Sequence, residues 1–184
     1  MLKLRTFALF QVLLCSTFLC SVLAQQGVDE YGRCAVYFSP HGGATDAIIT
    51  SVNNAKKSVL VQAYSFTSEP IADVLIQAHK KGVMVQVILD RSQQHQKYSC
   101  IDILTAAGVP LSIDAVHAIA HNKVMIIDSE TVITGSFNFT KAAEERNAEN
   151  LLIVHSKELS ARYLSNWRDH QRHSLPYCRQ VGLK

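Results

Sequence analysis

HNKVMIIDSETVITGSFNFTKAAEERNAE, residues 121–149, is the stretch that decides how the chain is read. Val124, Met125, Ile126 and Ile127 form a short apolar run ending at Asp128, which predicts a strand. Side chains two apart on a strand share a face, so His121 and Lys123 point the same way. After a Ser129-Glu130 turn, a second strand over residues 131–134 delivers Gly135-Ser136-x-Asn138 to a strand end. Gly135 allows another backbone to approach closely there. An imidazole, an ammonium, a hydroxyl and a carboxamide can therefore converge. Such a set suits a phosphate. Lys supplies charge, Ser and Asn supply neutral donors, and His supplies nucleophilic or acid–base chemistry.

The spacing His121-x-Lys123-x4-Asp128-x6-Gly135-Ser136-x-Asn138 resembles the signature of the phospholipase D superfamily. Within it, the likeness is to the small bacterial single-motif endonucleases, the Nuc-like branch, and it spans residues 36–167. Several typed positions at fixed spacing carry the resemblance, where a lone His-x-Lys would not. It implies a two-step displacement at a phosphodiester, with a phosphohistidine on His121 and a second histidine as acid, then base. Single-motif members of that family form two-fold dimers in which each chain supplies one histidine. The resemblance thus implies a homodimer with a shared active site. Lys123 and Asn138 would hold the non-bridging oxygens, and Ser136 would support them. Glu149 resembles the family's downstream acid, which bonds the other ring nitrogen of the histidine. Asp128 belongs to the motif, although a strand end suits a structural role. The family's chemistry needs no metal and no other cofactor.

The start of the chain reads differently from the rest. Lys3 and Arg5 precede a mainly apolar run over residues 7–22, and Val22-Leu23-Ala24 has the small-residue pattern of a signal-peptidase site. Residues 1–24 are expected to be a secretory signal, and residues 25–184 one domain of the exported, periplasmic or secreted, protein. The run is short of the roughly 20 residues of a comfortable span, so no stable membrane span is expected after signal removal. About 160 residues suffice for one domain with a core. The formal charge of +3 includes Lys3 and Arg5, so the mature chain is close to neutral and lacks a general basic footprint. A polyanion site must be local. Candidate cations are Lys80, Lys81, Arg91 and Lys97, and later Arg162, Arg168, Arg172 and Arg179. Cys34, Cys100 and Cys178 remain after the signal. A Cys34–Cys178 bridge would staple the two ends, but three cysteines leave the pairing open. Their spacings resemble no zinc site.

A strand over residues 34–38 precedes a Ser-Pro-His-Gly-Gly stop, and Thr45 is placed to cap a helix. The segments 59–66 and 83–89 read as strands around a helix with Ser68 as its cap, Pro70 in its first turn and Gly82 at its end. Strand, helix, strand at this spacing is a parallel βαβ unit. Residues 90–98, DRSQQHQKY, follow a strand end, where ligands commonly bind in open α/β sheets. They read equally as a substrate or partner contact and as a surface loop. Ser99-x-x-Asp102 resembles a capping box. Residues 111–113 read as a strand, His117 as a strand or loop residue rather than a second catalyst, and residues 151–154 as a last strand before a helix capped by Ser156. The fold class expected is α/β, a mixed, largely parallel sheet flanked by helices on both faces.

Three functions fit these readings. The first is a metal-independent endonuclease on DNA, with RNA as a further substrate. The second is a phospholipase D acting on phospholipid head groups, which needs the same residues because both substrates are phosphodiesters. The third is a non-catalytic nucleic-acid-binding module, which would not require His121. The sequence carries no amphipathic or aromatic membrane-docking stretch outside the signal, which weighs against the second.

Overall fold

The computed structural model describes residues 27–28 and 34–178; the expected signal peptide and Arg179 lie outside the described residues. Nine strands among the described residues form one sheet. They are β1 (Gly27–Val28), β2 (Cys34–Ser39), β3 (Ser58–Ala63), β4 (Met84–Asp90), β5 (Leu111–Asp114), β6 (Lys123–Ile127), β7 (Thr131–Gly135), β8 (Glu149–His155) and β9 (Leu175–Pro176). The helices are α1 (Ala44–Asn53), α2 (Glu69–Lys80), α3 (Ile101–Ala106), α4 (Lys141–Glu145) and α5 (Lys157–His173). Across the sheet the order is β1-β2-β8-β7-β6-β3-β4-β5-β9. β3, β4 and β5 are parallel neighbours, joined through α2 and α3. The other neighbours pair antiparallel. The sheet is therefore mixed, as expected, but mostly antiparallel rather than mostly parallel. The reason is local. Parallel pairing needs a crossover of a dozen or more residues, and residues 128–130 between β6 and β7 allow only a hairpin.

Alternation along β3 and β6 divides the core between the two faces. Val59, Val61, Ala63, Met125 and Ile127 join the larger core with α1, α2 and α3. Leu60, Val124 and Ile126 face the other way, onto Trp167 of α5. Helices thus cover both faces. Each buried Val, Leu, Ile or Met among these side chains stabilises the fold by about 1.5–3 kcal/mol. The Trp167 indole N–H is also satisfied, donating to the Val61 carbonyl at 3.0 Å.

The helix ends hold both agreements and corrections. Ser156 Oγ accepts the Leu159 N–H at 3.2 Å and starts α5 as expected. Thr45 does not cap α1. Gly43, at φ 79°, occupies the cap position. The Glu144 carboxylate accepts from the Gly43 N–H at 3.1 Å and the Thr45 N–H at 2.7 Å. A carboxylate from α4 thus supplies acceptors and a favourable charge at the α1 N-terminus. Ser68 holds the cap position of α2 without a capping hydrogen bond from its side chain. The capping box at Ser99 does not form either: α3 starts after Cys100, and Ser99 Oγ accepts from the Ile101 N–H at 3.4 Å. The Cys34–Cys178 staple is not made. β2 and β9 lie seven strand positions apart, about 30 Å at the usual strand spacing. Cys178 is an exposed free thiol.

Candidate active site

The candidate groups gather at one rim of the sheet. That rim holds the C-terminal ends of β3, β4 and β7 and the N-terminal ends of β6 and β8. Lys123 opens β6 opposite Ala63 and is buried, with 6% of its surface exposed. His121, two residues earlier, is exposed. Lys123 Nζ donates to the His121 carbonyl at 2.9 Å and lies 3.1 Å from each ring nitrogen. An ammonium donates only to a ring nitrogen that carries no proton, so it uses one of the two at a time. Tyr64 backs the pair: its ring centroid is 4.6 Å from that of His121 and 5.2 Å from Lys123 Nζ. Burial pulls the Lys123 pKa below its ordinary 10.5, while the charge of Glu149 works against that shift.

β7 and β8 bring the remaining groups. Gly135, at φ 148°, ends β7 beside β8, and a Cβ there would lie 2.2 Å from the Asn150 carbonyl oxygen. Only glycine permits that approach, as the sequence indicated. Ser136 Oγ then donates to the Glu149 carboxylate at 2.6 Å and accepts from the Asn150 N–H at 3.1 Å. The second Glu149 oxygen accepts from the Asn147 side chain at 3.0 Å. Within one chain Glu149 therefore orients Ser136 and Asn147, and no hydrogen bond joins it to the His121 ring. Asn138 sits on the segment that crosses towards β3, where the Phe139 carbonyl accepts from the Thr67 and Ser68 N–H groups, each at 2.9 Å. Asn138 Oδ1 is buried without a donor.

Asp128 is not brought to this rim. It lies past the far end of β6, and its carboxylate accepts the N–H groups of Lys56, Lys57 and Ser58 at 2.8, 2.7 and 2.8 Å. Asp128 and Ser129 have φ of 55° and 59°, a conformation aspartate tolerates better than most residues. The residue ties the β6–β7 turn to the start of β3. Burial alone would raise its pKa, but the three N–H bonds and the Lys57 charge outweigh burial and hold it below the ordinary 3.8. A carboxylate with a depressed folded pKa stabilises the fold above its unfolded value and loses that contribution as pH falls through the folded one. Asp128→Asn is expected to lower stability at pH 7 by about 1–3 kcal/mol and to leave kcat unchanged. The gap from wild type should narrow below pH ~4. Thermal melts across pH, beside initial rates, check this; a tenfold loss of kcat at unchanged stability would return Asp128 to the chemistry.

Tyr64, Asn147 and Asp90 were not singled out from sequence as site residues. Asp90 accepts from the Ala120 N–H at 2.7 Å and the Ser92 N–H at 2.9 Å. It thereby fixes the residue just before His121. A cavity of about 350 Å³ opens beside Tyr64, lined also by Asp90, Arg91, Ser92, His95 and Ile119. The sequence signal is the strand end itself, since residues 90–98 follow β4 where ligands commonly bind. That stretch begins as a 3-10 turn held by buried Gln93, whose side chain accepts from the Phe66 N–H at 3.0 Å. A second group of ligand-type side chains, Asp114, His117, His170 and His173, lies on β5, the loop after it and the end of α5. Its sequence signal is two pairs, Asp114-x-x-His117 and His170-x-x-His173.

Fold and site together define a phosphodiester hydrolase built on a mixed α/β sheet. Residues 48–170 match the family model described as "Cardiolipin synthase, PLD-like domain". A phospholipase D of Rickettsia conorii is 47% identical over 142 residues, covering 76% of this chain and 71% of that protein. Nuc from Salmonella typhimurium, a solved phospholipase D family member, superposes with a TM-score of 0.75 at 36% identity, over 78% of this chain and 97% of Nuc. NucT from Helicobacter pylori gives 0.72 at 26% identity, over 79% and 99%. The chain belongs to the phospholipase D superfamily, in its Nuc-like branch.

Proposed function

We propose that the protein is an exported, metal-independent endonuclease that cuts DNA, and RNA as well, through a phosphohistidine. The observation that carries this reading is an open half-site. One exposed imidazole stands over one buried ammonium at the sheet rim. Among the described residues, its ring packs on Tyr64 and no second imidazole meets it. Two-step displacement needs a nucleophile and an acid on opposite sides of phosphorus. A two-fold pair of chains supplies both. His121 of one copy attacks phosphorus, forming a P–N bond as the P–O bond to the leaving strand breaks. The leaving oxygen takes a proton from His121 of the second copy. That imidazole then accepts a proton from water as water attacks phosphorus and the P–N bond breaks. Lys123 and Asn138 of each copy hold the non-bridging oxygens, and Ser136, fixed by Glu149, supports them. The two lysines supply the positive charge that a metal supplies elsewhere. Among the described residues, the group of at least three metal-ligand side chains is the one at Asp114, not one at His121.

Phe38 and Leu152 favour the pairing. They are 64% and 36% exposed and project from the same face of β2 and β8, the one opposite the Glu149 side chain. An exposed apolar pair on β8, the strand that Glu149 opens, and on its neighbour β2 suits a second copy. The whole-length match to Nuc and NucT supports a nucleic-acid substrate.

Phospholipid hydrolysis is the second reading. Val116 and Ile119, 66% and 57% exposed on the β5–β6 loop, favour it, as does the name of the Rickettsia relative. No helix among the described residues is long and apolar enough to cross a membrane. Purified protein in excess EDTA, given plasmid DNA, single-stranded DNA, RNA and phosphatidylcholine or cardiolipin vesicles, separates the two. The expected result is nucleic-acid cleavage that persists in EDTA at temperatures well below melting. Vesicle hydrolysis without nucleic-acid cleavage would select the lipase. Activity lost in EDTA and restored by magnesium would end the metal-free mechanism.

A further inference from the structure

We propose that Asp114, His117, His170 and His173 form a zinc site that clamps the C-terminal segment and the loop leading to His121 onto the sheet. Asp114 ends β5 and is fully buried, at 0% exposure. Three imidazoles from two separate segments converge on its carboxylate. His170 Nδ1, His117 Nδ1 and His173 Nε2 lie 2.7, 3.1 and 3.3 Å from Oδ2. Oδ1 is already occupied by the Val116 N–H at 3.1 Å. His117 Nδ1 is equally close to Oδ1, at 3.2 Å, so one buried carboxylate is ringed by three imidazole nitrogens and a backbone N–H, filling its lone-pair sites.

A metal accounts for that convergence. Zinc takes four nitrogen and oxygen ligands in a tetrahedron, with bonds of about 2.0–2.2 Å. Neighbouring ligand atoms are then about 3.3 Å apart, a consequence of those bond lengths. The oxygen–nitrogen separations of 2.7–3.3 Å already match. All four ligand atoms lie within 4.8 Å of one another, so only small side-chain turns would close the shell. Three imidazoles and one carboxylate suit zinc better than calcium or magnesium, which prefer oxygen.

The ligands sit where a clamp has an effect. His170 and His173 lie one turn apart at the end of α5, which leads directly into β9. β9 is a two-residue edge strand paired with β5. His117 lies on the loop that ends at His121. The site is separated from His121 by β3 and β4. It is therefore structural, and independent of the hydrolytic reading above.

The test uses the full protein, loaded with zinc chloride, desalted and assayed for metal by mass spectrometry, beside a His170→Gln/His173→Gln double variant. Wild type is expected to retain about one zinc per chain and the variant almost none. Cobalt(II) in the site should give tetrahedral d–d bands without a thiolate charge-transfer band. At a hundredfold excess of zinc over Kd, the wild-type melting temperature should rise by about 5–10 °C. If the double variant does not fold, His117→Gln on the exposed loop replaces it, with zinc lost to a competing chelator about tenfold more readily than from wild type. Equal zinc in wild type and variant, a thiolate band, or wild type that neither keeps zinc nor gains stability from it would each overturn the site.

Discussion

His121→Ala is expected to lower hydrolysis to below about 10⁻⁴ of wild type, because no other group supplies the bond to phosphorus. The protein should stay folded. His121 is exposed, and a substitution at an exposed site away from the core changes stability by about 0.5 kcal/mol or less. The contacts it loses are those to Tyr64 and Lys123. The Lys123 bond to the backbone carbonyl of residue 121 does not depend on the side chain. The variant should therefore melt like wild type while its turnover vanishes. Asp128→Asn is the mirror image, with stability lost and turnover kept. Together the pair separates chemistry from architecture within one motif. If His121→Ala keeps a tenth of the activity, His121 is an auxiliary group and the phosphohistidine is wrong.

That separation marks how far the sequence could be read. The strand over Lys123–Ile127, the hairpin after it and the glycine at 135 were legible because each depends on neighbours a few residues away. The convergence of His121 with Lys123 followed from period-two geometry alone. The strand-end position of Asp128 pointed to a structural role, but its partners, the N–H groups of residues 56–58, lie about seventy residues away in sequence and could not be read locally. The same holds for Glu144, which caps α1 from α4. The sheet was expected to be mostly parallel because the βαβ unit was the clearest local pattern. The antiparallel half depends on where β6 and β8 return, which no local pattern states. The Asp114 cluster lay hidden for the same reason. Its two halves meet only because α5 ends against β5 and the chain then pairs there as β9.

Adding excess His121→Ala protein to wild type is expected to depress activity, once subunits have exchanged. In a shared site, a mixed dimer holds one imidazole where two are needed. If that imidazole attacks phosphorus, the leaving oxygen goes unprotonated. If it acts as acid, no nucleophile is present. Loss of a positioned acid reduces turnover by about 10²–10⁴-fold, so a mixed dimer contributes almost nothing. Total activity at constant wild-type concentration should then fall with the fraction of wild-type chains that still find one another. With a ninefold excess of mutant and random exchange, about a tenth of the wild-type chains keep a wild-type partner. Activity should drop by about tenfold, on the order of the pairing statistics of a two-fold dimer. Independent sites give a different outcome, because each wild-type chain keeps its own complete site whatever its partner. A Phe38→Asp/Leu152→Asp variant supplies a second arm. Two charges on that apolar face should separate the chains and remove activity, although neither residue touches the rim groups. Sedimentation reports the separation and rate assays the loss. A flat line against added mutant, after exchange is confirmed with labelled chains, would end the shared-site account. A monomeric double variant with full activity would end it equally, because one chain would then hold everything the reaction needs.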